Sequence, residues 1–216
     1  MSKPIIVIIG ADKGGVGKTT VARAFLDFLR ATGVKFRAFD TENEVEGGVL
    51  RRFFPDATEV VDITDSDGQM RVFDTLDDAV TVIDIRAGLL SPTLKMLSEI
   101  GFLDPARFSI AVLHVLGNNQ ASLDEVAPVA ERLAGLRHVI VGNRVNATKF
   151  DFPPGALDVP MLAPKAAEAV DKTNVPFSVF RKAPRLETGA ESPVLGGVVG
   201  HWLDRVHAQF AGIKLP

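Results

Sequence analysis

No cysteine occurs in the 216 residues. That excludes disulfides, thiolate zinc sites and cysteine-ligated iron–sulfur clusters, and it fits a reducing compartment. Long apolar runs are missing as well. Met-Ser-Lys-Pro leads straight into an apolar stretch that ends at Gly10, too short for a signal segment or a membrane span, so a cytoplasmic protein is expected. Nor is there a surplus of positive charge. With 24 Lys and Arg against 27 Asp and Glu, the formal net charge is −3, which excludes a uniformly basic nucleic-acid binder. Residues 1–108 carry 13 basic and 17 acidic residues and residues 109–216 carry 11 and 10, so any DNA contact needs a local patch, best sought in the C-terminal half. Repeats, low-complexity tracts and long linkers are absent, and "DFPPG", Asp151–Gly155, reads as a loop. One domain over residues 1–216 is expected.

What the chain does have is short apolar runs alternating with segments of helical period. Strands are expected at Ile5–Ile9, Phe36–Phe39, Val60–Ile63, Val80–Ile85, Phe108–Leu116, His138–Val141 and Val159–Leu162. Several lack inside/outside alternation, as strands covered on both faces do. Helices are expected to begin near Thr19, Gly68, Ser91, Ser122, Lys165 and Pro193. Ser122 with Glu125 three residues on has the capping-box pattern, although Pro128 should kink that helix or move its start. The fold class is therefore α/β: a doubly wound, mostly parallel sheet with helices on both faces.

The stretch after the first strand, "GADKGGVGKTT", carries the chemistry. Glycines let successive backbone N–H groups turn inward, and a helix N-terminus adds unpaired donors and partial positive charge, which together cradle a polyphosphate. Lys18 is placed to reach β- and γ-phosphates and the Thr19 hydroxyl to ligate Mg²⁺. The strict pattern G-x-x-x-x-G-K-[ST] fails at one point, where Asp12 replaces the first glycine. What matches is K-G-G-V-G-K-T-T, Lys13 to Thr20.

That match, with its extra lysine, resembles the deviant Walker A ATPases of the ParA/MinD type. The resemblance implies a P-loop ATPase using ATP and Mg²⁺, with Gly14, Gly15, Val16, Gly17, Lys18, Thr19 and Thr20 holding the nucleotide. It implies that Lys13 acts across a homodimer formed in the ATP state. "RAFDTENE" resembles the family's switch I, with Asp40 near Mg²⁺ and Glu42 at the position of the water-orienting aspartate; the alternative is that Glu42, Glu44 and Glu46 form a solvated acidic loop. "TVIDIRAG" resembles switch II, with Asp84 reaching Mg²⁺ through water and Gly88 sensing the γ-phosphate. Arg86 replaces the usual proline there and has two readings: a cation paired with a neighbouring acid, or one that approaches the γ-phosphate or the dimer partner. Asn143 in "VIVGNRVN" suits the edge of adenine, and Pro164 in "VPMLAPKAAEAV" resembles the lid over the base.

Family members differ in cargo. Arg181, Lys182 and Arg185 in "FRKAPR" form the best cationic cluster and are the candidate contacts to non-specific DNA. Operator recognition through a helix-turn-helix ahead of the loop is not expected. The last helix has Val199, Trp202, Leu203, Val206, Phe210 and Ile213 on one face, but its polar side has only Arg205, with Lys214 following, so packing on the sheet is expected over a membrane contact. A partition or positioning ATPase stimulated by a partner protein is the leading expectation. The alternative is a MinD-like ATPase acting on a membrane or on a secretion or conjugation complex, with a ligase of the dethiobiotin-synthetase kind behind both.

Overall fold

A computed structural model of the chain describes residues 3–77, 79–133 and 135–213. The strands are β1 (Ile5–Gly10), β2 (Phe36–Asp40), β3 (Thr58–Val60), β4 (Val80–Asp84), β5 (Ser109–Gly117), β6 (Arg137–Asn143) and β7 (Leu157–Val159). The helices are α1 (Lys18–Ala31), α2 (Ser66–Phe73), α3 (Leu90–Glu99), α4 (Gln120–Leu123), α5 (Val126–Arg132), α6 (Pro164–Thr173), α7 (Phe177–Lys182) and α8 (Pro193–Phe210). All pairings between named strands are parallel, in the order β3-β2-β4-β1-β5-β6-β7. The expected α/β class is the fold found.

β1 is buried on both faces because its residues are apolar throughout. Val7 and Ile9 join the core that includes α1 and α8 residues, while Ile6 and Ile8 join the other core, with α2 and α3 residues. From β1 the chain passes to β2 on one side and later lays β5 on the other. The carboxyl end of β1 thus lies where connections diverge, the crevice in which open α/β sheets bind ligands.

Several boundaries differ from the sequence reading, each for a local reason. β3 covers Thr58–Val60 rather than Val60–Ile63, since Asp62 turns the chain by accepting the Thr64 N–H at 2.9 Å. β7 ends at Val159, before Pro160, which has no N–H for a ladder. The helix expected from Ser122 is two short ones: the Asn119 side chain caps α4 through the Ser122 N–H at 3.0 Å, and Pro128 falls in the first turn of α5, where a missing N–H costs little. Glu125 therefore makes no capping box.

The cationic stretch "FRKAPR" is partly helical. Its first three residues close α7, whose Phe177 and Phe180 are buried. Arg181 is clamped by Asp204 of α8 at 2.6 and 3.2 Å, and Arg185 lies 3.8 Å from Glu191. The apolar face of α8 is buried in the core, and Trp202 anchors it by donating to the Pro160 carbonyl at 2.6 Å. Lys214 lies outside the described residues, among which no helix is long and apolar enough to cross a membrane.

The segment between β2 and β3 is tied to α1. Arg23 is buried with its guanidinium 3.3 Å from the Phe53 ring centroid and 4.3 Å from that of Phe177, a cation held between two aromatic faces. Asp27, one turn on and fully buried, accepts the Ser178 N–H at 3.1 Å and fixes α7 against α1.

Candidate functional site

The loop from Ala11 to Gly17 leaves β1 and enters α1 through two left-handed glycines, Gly15 (φ 74°) and Gly17 (φ 80°). Nothing caps α1. Its first turn has no acidic residue and no side chain bonds its N-terminus, so the N–H groups around Lys18–Thr20 stay available to an anion. At Gly17 even a Cβ would come within 2.2 Å of Asn143 Nδ2. That amide, buried at the end of β6, donates to the Val16 carbonyl at 2.8 Å and buttresses the loop.

The loop forms one wall of a cavity of about 250 Å³ lined by Gly15, Gly17, Lys18, Thr19, Thr20, Asp40, Glu42, Asp84 and Arg86, among others. Lys18 is buried, which pushes its pKa down against the pull of Asp84, Glu125, Glu42 and Asp12, and its ammonium donates to the Lys13 carbonyl at 3.3 Å. Asp84, at the end of β4, is raised to about 7, first by burial and then by the neighbouring Asp40 charge, while a bond from Thr19 opposes the shift. Its Oδ1 is buried without a hydrogen-bond partner. Such an oxygen has room for a donor or a cation.

Asp40 lines the same cavity but is heavily used by its own loop. Oδ1 accepts the Glu42 N–H at 3.0 Å, and Oδ2 accepts those of Leu50 at 2.7 Å and Arg51 at 3.3 Å. Thr41, which the sequence reading passed over, links the segments after β2 and β4. Its hydroxyl donates to the Asp84 carbonyl at 3.1 Å and accepts the Arg86 N–H at 2.8 Å. Arg86 pairs with Glu44, the first of its two readings.

Asp12, the residue that breaks the standard pattern, has a structural use. Its carboxylate accepts the Ser91 N–H at 3.0 Å and the Ser91 hydroxyl at 2.5 Å, capping α3 from another part of the chain. Its carbonyl accepts the Gly88 N–H at 2.9 Å. The segment after β4 is thus fastened to the glycine loop.

Behind the loop, Glu125 Oε2 accepts the Asp12 N–H at 3.0 Å and lies 3.6 Å from Nε2 of the fully buried His114, whose Nδ1 is 3.2 Å from His138 Nε2. Burial, then His138, lowers the His114 pKa to about 4. The ordinary value is 6.5, so below it the unfolded chain takes up a proton that the folded chain refuses until about pH 4. Stability therefore falls as pH drops from 6.5 to 4, by about 3 kcal/mol from this group. Urea unfolding across that range should show a shallower acid loss in His114→Phe than in the wild type.

The structure brings Gly15, Gly17, Lys18, Thr19, Thr20, Asp40, Glu42 and Asp84 to one cavity. Gly14 lies beside Ala87, and Val16 and Gly88 act through backbone bonds. Lys13 is exposed. Pro164 opens α6 and, like Arg181, Lys182 and Arg185, is not among the cavity's lining residues.

A glycine loop between a central parallel strand and an uncapped helix, with a buried lysine and a strand-end aspartate beside it, defines a P-loop nucleotide-binding fold. No protein-family model matches the sequence, and neither does any curated protein. Solved structures do match in fold. Similar over 98% of this chain and 97% of its own is a chain of the MinC:MinD cell division protein complex of Aquifex aeolicus, at 14% identity and a TM-score of 0.56. A ParA family ATPase from Chlorobium tepidum TLS matches at 12% identity over 93% of this chain and 98% of its own, with a TM-score of 0.54. The septum site-determining protein MinD of Pyrococcus horikoshii OT3, complexed with Mg-ADP, is 18% identical over 99% of both chains, with a TM-score of 0.50. The fold is that of MinD- and ParA-family ATPases.

Proposed function

We propose that the protein is a magnesium-dependent ATPase of the ParA/MinD type that pairs with a second copy when ATP is bound and positions a cargo. The observation that carries this reading is the single cavity joining the Lys18–Thr20 helix start to the Asp84 carboxylate. Lys18 would hold the β- and γ-phosphates, and the N–H groups of Gly15 to Thr20 would cradle them. Mg²⁺ fits the orphaned Asp84 Oδ1 and the Thr19 hydroxyl, a small donor set completed by phosphate and water as this ion prefers. It supplies charge neutralisation on the phosphates. Asp40 would join them through the lone pair that the Glu42 N–H leaves free on Oδ1. Glu42, on the cavity wall, is the residue to orient water. Asn143 would read adenine with whatever amide capacity the Val16 bond leaves, and Pro164 would close over the base. Calorimetry with Mg-ATP and phosphate release by the wild type and Lys18→Ala test the reading; turnover undiminished in the variant contradicts it.

Non-specific DNA remains the proposed target. Of its candidate contacts, Arg181 and Arg185 already face Asp204 and Glu191. DNA phosphates would have to compete with those acids, so binding should be weak and lost steeply with salt. The burial of the apolar face of α8 favours this over a membrane contact through that face. A partner protein that stimulates hydrolysis and a cytoplasmic setting complete the proposal.

A further inference from the structure

Lys13 presents an unusual combination: an exposed side chain on a stretch of backbone held by two other side chains. Its carbonyl accepts the Lys18 ammonium at 3.3 Å from inside the cavity. The Glu125 carboxylate accepts the Asp12 N–H at 3.0 Å, and the nearby Lys13 N–H helps hold its pKa down against the rise that burial causes. Glu125 comes from the link between α4 and α5, well apart in sequence, and buried His114 stands 3.6 Å behind it.

The two grips differ in permanence. The Lys18 ammonium is the charge a polyphosphate would draw away from the Lys13 carbonyl. Glu125 is not among the residues lining the cavity, so a nucleotide leaves its bonds in place. An anionic acceptor makes a stronger bond to an N–H than a neutral one does. With a nucleotide bound, Glu125 stays on the Asp12–Lys13 backbone, beside the Gly88 N–H at the Asp12 carbonyl and Ser91 at the Asp12 carboxylate.

We propose that Glu125 is a positioning residue for Lys13, holding the Asp12–Lys13 backbone so that the exposed lysine is aimed at the second copy of the chain. This rests on the pairing reading above. It assigns a task to a residue whose sequence context suggests only a helix cap, and it sets Glu125 apart from the residues that touch nucleotide.

The test uses Glu125→Ala and Glu125→Gln beside Lys13→Ala. Gln keeps an acceptor oxygen at the same reach and so should rescue the clamp; Ala removes it. Sedimentation with a non-hydrolysable ATP analogue should show pairing weakened about tenfold in Glu125→Ala and within about threefold of wild type in Glu125→Gln. ADP affinity, read by calorimetry, should stay within about threefold in both. Amide hydrogen exchange without nucleotide should quicken at Asp12 and Lys13 in Glu125→Ala alone. Pairing and exchange unchanged in Glu125→Ala would overturn the proposal, as would a Gln variant as defective as Ala. Should the wild type fail to pair at all, the pairing reading falls with the aim assigned to Lys13, and unchanged exchange would then remove the clamp as well.

Discussion

Gly17→Ala should weaken Mg-ATP binding by about a hundredfold or more and lower the melting temperature by roughly 5–10 °C. The left-handed backbone at this position, φ 80°, costs an alanine about 1–2 kcal/mol. The added methyl group falls 2.2 Å from Asn143 Nδ2, so the buried amide has to leave the Val16 carbonyl. Orphaning that pair costs about 1–3 kcal/mol more. A total near 3 kcal/mol corresponds to about a hundredfold in the fraction of loops shaped for phosphate, and to the stated fall in melting temperature for a chain of this size. Gly197→Ala, on α8 and away from the loop, is the control, since its Cβ would meet nothing within 4 Å and its φ is not positive. Calorimetry and thermal melts of the two variants check the contrast.

Lys13→Ala should leave the monomer intact and remove nucleotide-dependent pairing. The side chain is exposed, and among the described residues no ion pair involving it is seen, so melting should change by no more than about 0.5 kcal/mol in stability terms. Its proposed task is to bring a cation to the triphosphate of the facing copy, where two nucleotides crowd negative charge. Truncating one partner of such a desolvated pair typically costs about 2–5 kcal/mol, or roughly 30- to several-thousandfold in pairing affinity. ADP binding by the monomer should survive. Equal pairing by Lys13→Ala and wild type would leave a nucleotide-binding protein without the proposed switch.

How much of this was legible in the sequence depended on distance along the chain. β1, the glycine loop and the start of α1 were readable because strand, turn and helix signals lie within one short stretch. The apolar face of α8 was readable for the same reason, its residues recurring at helical spacing. Asp12 was not. Its partner Ser91 lies beyond three strands and two helices of chain, so the residue looked like a lapse in a motif rather than the cap of α3. Glu125 was misread because a local pattern, Ser followed by Glu, was satisfied on paper while Asn119 took the cap and the loop took the carboxylate. Arg181 looked free because Asp204 sits on the following helix. Asp40 showed its carboxylate but not the three backbone N–H groups that occupy it.

Control of assembly by the triphosphate is the central property of the proposed ATPase. Light scattering on a sizing column, with Mg-ADP and then with a non-hydrolysable ATP analogue, tests this most directly. The predicted result is one chain of 23.2 kDa with ADP and twice that mass with the analogue. A mass that is the same in both nucleotides would contradict it.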